Sequence, residues 1–516
     1  MSHISDFLAE GLRAVSLSRL GWAFLLAWVF CVFYTSALGG TGASSFTPSD
    51  AQGMLYSTCP VAASVVTLVA VVALERRFGS PIHCRGMFAA ASIAASLSTP
   101  LLLANPADGA LSAVLYILGA FATGFGSGLL WIMWGEYYAR VSQEDAEFLA
   151  PASAFVAALI GLVVASMSGV VPIVAVSLLP AASGACLFFA WRDAENGQIS
   201  SEFGKPGDEL SASSNCAKPP LRSAFGVMAR PCFGIFVACA IICVEGALFD
   251  GADAAENVQI SFVASLVFMV LVGFTAISGP RRVSLAFLYR WMCPILVIGY
   301  ACIIVLGPEC GLFVAYMVAI AARFAFCLIT QMHFARFAVR GLASPVQAYG
   351  LGWISVHLGD MVGVFIVAFA RSGVAAGAFS LDQVSACAMA ALVVSVMFVL
   401  NDGHSFRSQQ SEGDQRASRV EERGADNAAC DETLDIAQSA AIDPEAALDA
   451  RIAQLAGEAR LTPREVEVFG LLARGRSVPY IRDELVISRE TAATHTKHIY
   501  SKLGVHSRQE LIDLVR

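Results

Sequence analysis

The chain has little charge and few of the signatures that go with catalysis. Of its 516 residues only 14% are charged, against 57% hydrophobic. That balance is too apolar for an average soluble protein. Its 14 cysteines include no CxxC pair at zinc-like spacing. Most stand singly in apolar runs, as Cys31, Cys59, Cys186 and Cys327 do, and read as small apolar fillers. Cys239 and Cys243, at i and i+4 on one helix, are a slight metal hint that the same filler reading outweighs. A phosphate-cradling glycine loop, a nucleophile elbow and a His/Cys/acidic cluster are all missing, so no enzymatic activity, metal or cofactor is expected. The net charge of −8 is unevenly spread, with nearly half of the acidic residues after position 400. Local charge therefore says more about partners than the sum does.

What is present in quantity is long apolar runs. A spanning helix needs about 20 apolar residues, because each adds about 1.5 Å across about 30 Å of hydrocarbon. Twelve segments meet that requirement: 18–38, 53–74, 86–104, 110–134, 148–168, 171–191, 232–250, 258–278, 285–306, 311–331, 346–370 and 381–400. Tight turns holding Gly or Pro separate the closest pairs, near 169 and 308. The first run is longer than a signal-peptide core and lacks a small-residue cleavage site, so it reads as a retained anchor.

Lys and Arg fall in alternate short loops. Arg76, Arg77 and Arg85 follow the second span, Arg140 the fourth, Arg281 and Arg282 the eighth, and Arg336 and Arg340 the tenth. Lys205, Lys218, Arg222 and Arg230 lie in the long segment after the sixth, and Arg371 is the exception on the other side. Basic loops stay on the cytoplasmic side, which predicts that both termini are cytoplasmic. The spans divide six and six about a polar segment at 192–231, and basic turns recur at matching places, "ERRFGSP" after the second span and "SGPRRVS" after the eighth. This layout resembles that of major facilitator transporters. The family's loop after the second span usually holds an Asp-Arg-x-Gly-Arg core. "ERRFGSPIHCR" keeps only the arginines and one glycine, a departure that counts against active transport.

Ionisable residues at mid-membrane depth are expensive and mark function. Here they gather in the second half: Glu245, Arg323, and the pair His357 and Asp360, which share a helix face at i, i+3. We expect them to converge on a cavity that binds a small molecule, with Glu245 or Asp360 pairing Arg323 to relieve its burial. A static ion pair that only fixes helix packing is the competing reading.

From Asn401 the composition becomes polar and mildly acidic, which predicts a disordered linker over 401–442 with a reach of about 35 Å as a flexible coil. A linker helix at 443–460 follows, with Asp443 as N-cap, Pro444 in the first turn and a stripe of Leu448, Ile452 and Leu455. That stripe is expected to pack on the last domain or on its copy in a partner chain. Within 461–516, Thr462, Pro463 and Glu465 spell a capping box. Val466, Phe469, Leu472 and Ala473 form the first helix's apolar face. A second short helix is predicted at 478–485 with Ile481 and Leu485 inward. A third runs from Arg489 to Leu503 with Ala492, Ile499 and Leu503 inward, and a last one opens at Ser507 and Glu510. Four short helices, the middle two tightly joined, describe a helix-turn-helix domain.

"LTPREVEVFGLLARG", "ISRET…H" and "HIYSKLGVHSRQELIDLV" resemble the LuxR-type (NarL/FixJ-type) DNA-binding domain over roughly the last 56 residues. The resemblance implies a four-helix bundle whose third helix enters the major groove of double-stranded DNA, usually as a dimer, in a bacterial cell. By position in the family motif, Thr494 and Lys497 resemble base-contacting residues. Thr491, His495 and Lys502 fit phosphate contacts, and Arg489 fits either. Where the family commonly has Thr-Val-Lys, this chain has Thr491-Ala492-Ala493. Losing that lysine predicts weaker phosphate affinity or another base preference.

The expected architecture is all-α. Membrane halves at 1–191 and 232–400 flank a cytoplasmic loop at 192–231, followed by the linker, the linker helix and the DNA-binding domain. The expected function is a multi-pass regulator in the bacterial inner membrane. It would sense a small-molecule ligand through its transporter-like part and bind promoter DNA, as a homodimer, through its tail. The alternative is a major-facilitator-like transporter with a regulatory DNA-binding tail.

Overall fold

The computed structural model describes residues 16–34, 51–104, 106–141, 143–195, 219–248, 262–268, 285–400, 461–473, 489–503 and 508–515, with isolated positions such as 38, 259–260, 451–452, 454–455, 459 and 505. The predicted linker at 401–442, most of the eighth span and of the central segment, and the helix at 478–485 lie outside the described residues, as do the predicted cap at Asp443 and the helix start at Ser507. The chain forms two compact units divided near residue 420.

In the first unit the apolar runs are helices. α1 covers Trp22–Val29 and continues as a wider π-turn over Phe30–Tyr34. α2 is Ala51–Phe78, α3 Arg85–Leu102, α4 Ala110–Arg140, α5 Gln143–Ala165 and α6 Val171–Glu195. In the second half α7 is Leu221–Ala247, and residues 262–268 are helical. The stretch Leu285–Val339 breaks at Gly307 (φ 79°), giving α8 before the break and α9 after it. α10 is Pro345–Ala375 and α11 Leu381–Leu400. Both turns expected near 169 and 308 fall on left-handed glycines, Gly169 (φ 68°) and Gly307, a conformation that side chains with a Cβ resist.

Seven of these helices, among the described residues, are long and apolar enough to cross a membrane. Shorter apolar helices cover Arg19–Tyr34, Cys293–Gly307 and Leu381–Val394. α7 begins at Leu221, ahead of the expected start at 232, because Pro231 is carried inside the helix and buried. Lipid-embedded helices tolerate such a proline where neighbours cover the freed carbonyl.

The arginines at the ends of α2, α4 and α6, and those opening α3 and α7, lie at one end of the bundle, here called the basic end. Arg371 lies toward the other end and has a local task there. Its Nη2 donates to the main-chain oxygens of Ala247 (2.8 Å) and Leu248 (3.4 Å), carbonyls that the end of α7 leaves without helical partners.

The two halves touch at both ends and in the middle. At the basic end Ser344, the N-cap of α10, donates its hydroxyl to Glu75 of α2 at 2.8 Å, with both residues buried. The main-chain oxygen of Pro219, just ahead of α7, accepts from Gln347 (3.2 Å) and Arg76 (3.4 Å). Further in, Trp131 of α4 stacks on Trp353 of α10 with centroids 3.8 Å apart, and Phe30 stacks on Phe324 of α9 at 3.5 Å. At the opposite end Gln259 donates to the oxygen of Ala165 at 3.1 Å.

In the second unit α12 (Pro463–Ala473), α13 (Arg489–Leu503) and α14 (Arg508–Val515) share one core. Val468, Phe469, Leu472, Ile499, Leu511 and Val515 are buried in it together with Ile452 and Leu455. Two residues of the predicted stripe, Ile452 and Leu455, thus pack on the last domain of their own chain, while Leu448 lies outside the described residues. Of the expected inward residues, Phe469, Leu472, Ala473 and Ile499 are buried and Val466 and Leu503 partly so. Val468, not expected inward, is buried in the same core.

Candidate functional site

α13 divides cleanly by exposure. Thr496 and Ile499 face the core, while Thr491, Thr494, Lys497, His498 and Lys502 are exposed and His495 is half-buried. The side chain of Arg489 lies outside the described residues. Residues one helical turn apart thus form a continuous outward strip of hydroxyl, imidazole and ammonium groups, with the donors that phosphate oxygens and base edges accept from.

The strip is held from beneath by one carboxylate. Glu465, in the first turn of α12, closes the predicted capping box: Thr462 donates its main-chain N–H at 2.8 Å and its hydroxyl at 2.9 Å to Oε2, and the Glu465 N–H donates to Thr462 Oγ1 at 3.4 Å. The same Oε2 accepts from Lys502 Nζ at 2.6 Å, and His498 Nδ1 lies 3.9 Å from Oε1. The Lys502 ammonium, then the Thr462 N–H, hold the Glu465 carboxyl down at about 2. Lys502, expected to contact phosphate, therefore also ties the C-terminal end of α13 to α12. The motif position alone could not show this second task, because the carboxylate lies 37 residues earlier in the chain.

In the membrane unit the four mid-depth ionisable groups do not form one cluster. Arg323 of α9 and Asp360 of α10 form a buried ion pair. Tyr34, at the end of α1, bridges it: its hydroxyl donates to Asp360 Oδ2 at 2.9 Å and accepts from Arg323 Nη2 at 3.0 Å. The guanidinium lies over the Tyr34 ring, 4.3 Å from its centroid, and Nη1 donates to Cys239 Sγ at 3.0 Å. Cys239 and Cys243 pack against Gly359 and Gly363 of α10, so their spacing serves a helix contact.

Glu245 faces elsewhere. It shares the Ile241 face of α7, where Tyr300 of α8 donates to the Ile241 oxygen at 2.8 Å, and its Oε1 occupies the space that a Cβ on Gly299 would need. Its carboxylate is fully buried, with neither oxygen hydrogen-bonded among the described residues. Of the two acids expected to compete for Arg323, Asp360 is therefore the partner. His357 stays beside Trp353, ring centroids 6.2 Å apart, and its Nε2 has no partner among the described residues. Tyr34 was missed in the sequence, where a tyrosine closing an apolar run carries no signal of its own.

The sequence profile of "Bacterial regulatory proteins, luxR family" matches residues 459–515. The Fimbriae Z protein of Salmonella typhimurium is 45% identical over 56 residues, which are 11% of this chain and 27% of that protein. The HTH-type transcriptional regulator MalT of Serratia proteamaculans is 39% identical over 62 residues, 12% of this chain and 7% of that one. The chain thus spans about a quarter of the first relative and under a tenth of the second. Among solved structures, the major facilitator superfamily proton:xylose symporter XylE bound to 6-bromo-6-deoxy-D-glucose superposes with a TM-score of 0.50 at 12% identity, covering 77% of this chain and 96% of that one. Residues 459–515 are a LuxR-family helix-turn-helix domain, joined in one chain to a membrane bundle with the fold of the major facilitator superfamily.

Proposed function

We propose that the chain is a membrane-embedded one-component transcription regulator. The facilitator-like bundle binds a small molecule, and the bound state changes how the attached LuxR-type domains pair on promoter DNA. The observation that carries this reading is the Tyr34–Asp360–Arg323 cluster. A buried polar link between the halves ties them in one arrangement, and a ligand shifts that arrangement only by binding another one better. The basic end faces the cytoplasm of a bacterial inner membrane, which puts both termini and the DNA-reading helix on the nucleoid side. Thr494 and Lys497 read bases, Thr491, His495 and Lys502 hold phosphates, Arg489 does either, and two copies pair on DNA. Arg323, Asp360 and His357 belong to the ligand-responsive seam, and Glu245 acts within the second half.

The deciding experiment compares promoter output and flux in one strain. A promoter neighbouring the protein's own gene should lose its response when Lys497→Ala is introduced into the full chain, while membrane insertion is retained. Robust uptake of labelled candidate ligands into vesicles, abolished by Arg323→Ala, would sink the pure-sensor reading. It would favour instead a transporter with a regulatory tail.

A further inference from the structure

At the basic end α10 packs on α2 along one flank and on α7 along the other. The end of α2, from the first half, and the start of α7, from the second, therefore stand on either side of α10. Pro219, which leads into α7, ties the three together: its main-chain oxygen accepts from Arg76 of α2 and from Gln347 of α10. Arg76 uses its guanidinium on that bond. Its neighbour Arg77 and, three residues beyond Pro219, Arg222 are exposed. Chain adjacency keeps both near the same tie. No side chain caps the start of α7, so the positive end of its dipole adds to the field there.

Next to these arginines the surface is apolar. On α2, Val66, Val69, Leu74 and Phe78 are exposed, a stripe at helical spacing that leads from the level of Arg77 into the span. The Arg77 guanidinium lies over the Phe78 ring, 5.4 Å from its centroid. On α7, Phe225 and Phe233 follow Arg222 and are exposed too. Each flank of α10 thus presents a cation at the membrane surface and apolar side chains beneath it. A soluble anion would engage the cations and leave the stripes untouched, and a neutral lipid would do the reverse. An anionic phospholipid does both, with its phosphate on guanidinium and its acyl chains along the stripes.

We propose that the outer face framed by Arg77 of α2 and Arg222 of α7 holds an anionic phospholipid of the leaflet at the basic end. One guanidinium comes from each half, so the bound lipid favours the arrangement that keeps the ends of α2 and α7 together. Anything that spreads those ends must work against the lipid, which makes the charge of the leaflet an input to the same balance that a ligand shifts. Only that last consequence rests on the sensor reading; lipid binding stands or falls separately.

The test reconstitutes the full chain in nanodiscs of phosphatidylcholine, replaces a rising share of that lipid by phosphatidylglycerol, and follows thermal unfolding. A saturable rise in melting temperature is expected. Zwitterionic phosphatidylethanolamine, or soluble glycerol phosphate added to phosphatidylcholine discs, should give none. Arg77→Gln combined with Arg222→Gln should weaken the lipid's binding about thirtyfold, about fivefold for each charge, so that saturation is no longer reached. Arg192→Gln removes an exposed charge from the same end on α6, which packs on α1 and α3, and should leave the response intact. Should the double variant fail to insert, Arg222→Gln alone decides, with a loss of about fivefold. No rise with phosphatidylglycerol, an undiminished rise in the arginine variants, an equal loss in Arg192→Gln, or a rise from glycerol phosphate alone would each overturn the proposal. A lipid response that the variants lose while promoter output stays the same would leave the lipid site standing and remove its tie to sensing.

Discussion

Tyr34 and Asp360, 326 residues apart in the chain, share a hydrogen bond of 2.9 Å at the centre of the membrane unit. A hydroxyl from the first half thereby completes an ion pair that belongs to the second. Among the described residues the first half brings no charge to this cluster, only a neutral group that donates to the acid and accepts from the base.

Tyr34→Phe keeps the ring under the guanidinium and removes only the bridge. Leaving one buried carboxylate oxygen short of a donor costs about 1–3 kcal/mol. The variant should insert normally and melt lower in nanodiscs than the parent. If the cluster sets the sensor's resting state, basal promoter output should shift with it; unchanged melting and unchanged output would deny the bridge any role.

Breaking the ion pair from one side should be far worse than removing it whole. Asp360→Leu alone, or Arg323→Leu alone, strands a buried charge, a loss of about 3–5 kcal/mol. The double variant should recover a large part of that loss, because two apolar side chains fill the same space without desolvation. A double-mutant cycle on melting temperatures measures this, and strict additivity would mean that the two side chains do not interact.

The capping carboxylate of the DNA-binding domain predicts an acid dependence of definite sign. Glu465 in the folded domain ionises at about 2, below its ordinary 4.5. A depressed acid contributes stability that is present above the ordinary value and lost as pH falls from there toward 2. Melting of a 443–516 fragment should therefore be flat above pH 5 and fall steeply below about 4.5. In Lys502→Met the largest cause of the depression is gone, so the acid limb should become shallower. An unchanged limb would mean that Lys502 does not hold Glu465 in solution.

Restoring the lysine that the family motif usually carries should strengthen DNA binding through the backbone. Ala493→Lys adds one cationic phosphate contact, which steepens the slope of log affinity against log salt by about 0.9. Lys497→Ala should instead weaken recognition of the cognate site more than that of random DNA. Gel-shift titrations at several salt concentrations separate the two effects.

Much of this was legible from residue order, for reasons that differ from place to place. The helices of the membrane unit follow from unbroken apolar runs, and their breaks at Gly169 and Gly307 follow from what only glycine does easily. The capping box at Thr462 was readable because its partners are three residues apart. The choice between Glu245 and Asp360 as partner of Arg323 was not. Both acids have suitable depth, and only the rotation of α7, with Cys239 and Cys243 toward α10 and Ile241 toward α8, turns Glu245 away. The beginning of α7 was misplaced because Pro231 looks like an end in sequence and is an interior residue in the helix. The stack of Trp131 on Trp353 had no local signature at all, since each residue alone is ordinary.

Ile452 and Leu455 lie in the same core as Phe469 and Ile499, so the solid part of the DNA-reading unit starts before its family-like portion does. The chain arriving from the membrane is consequently gripped at a handle, not knotted to the first residue of a helix-turn-helix. Whatever moves Ile452 and Leu455 therefore acts on the same hydrophobic core that carries Ile499 of the third helix.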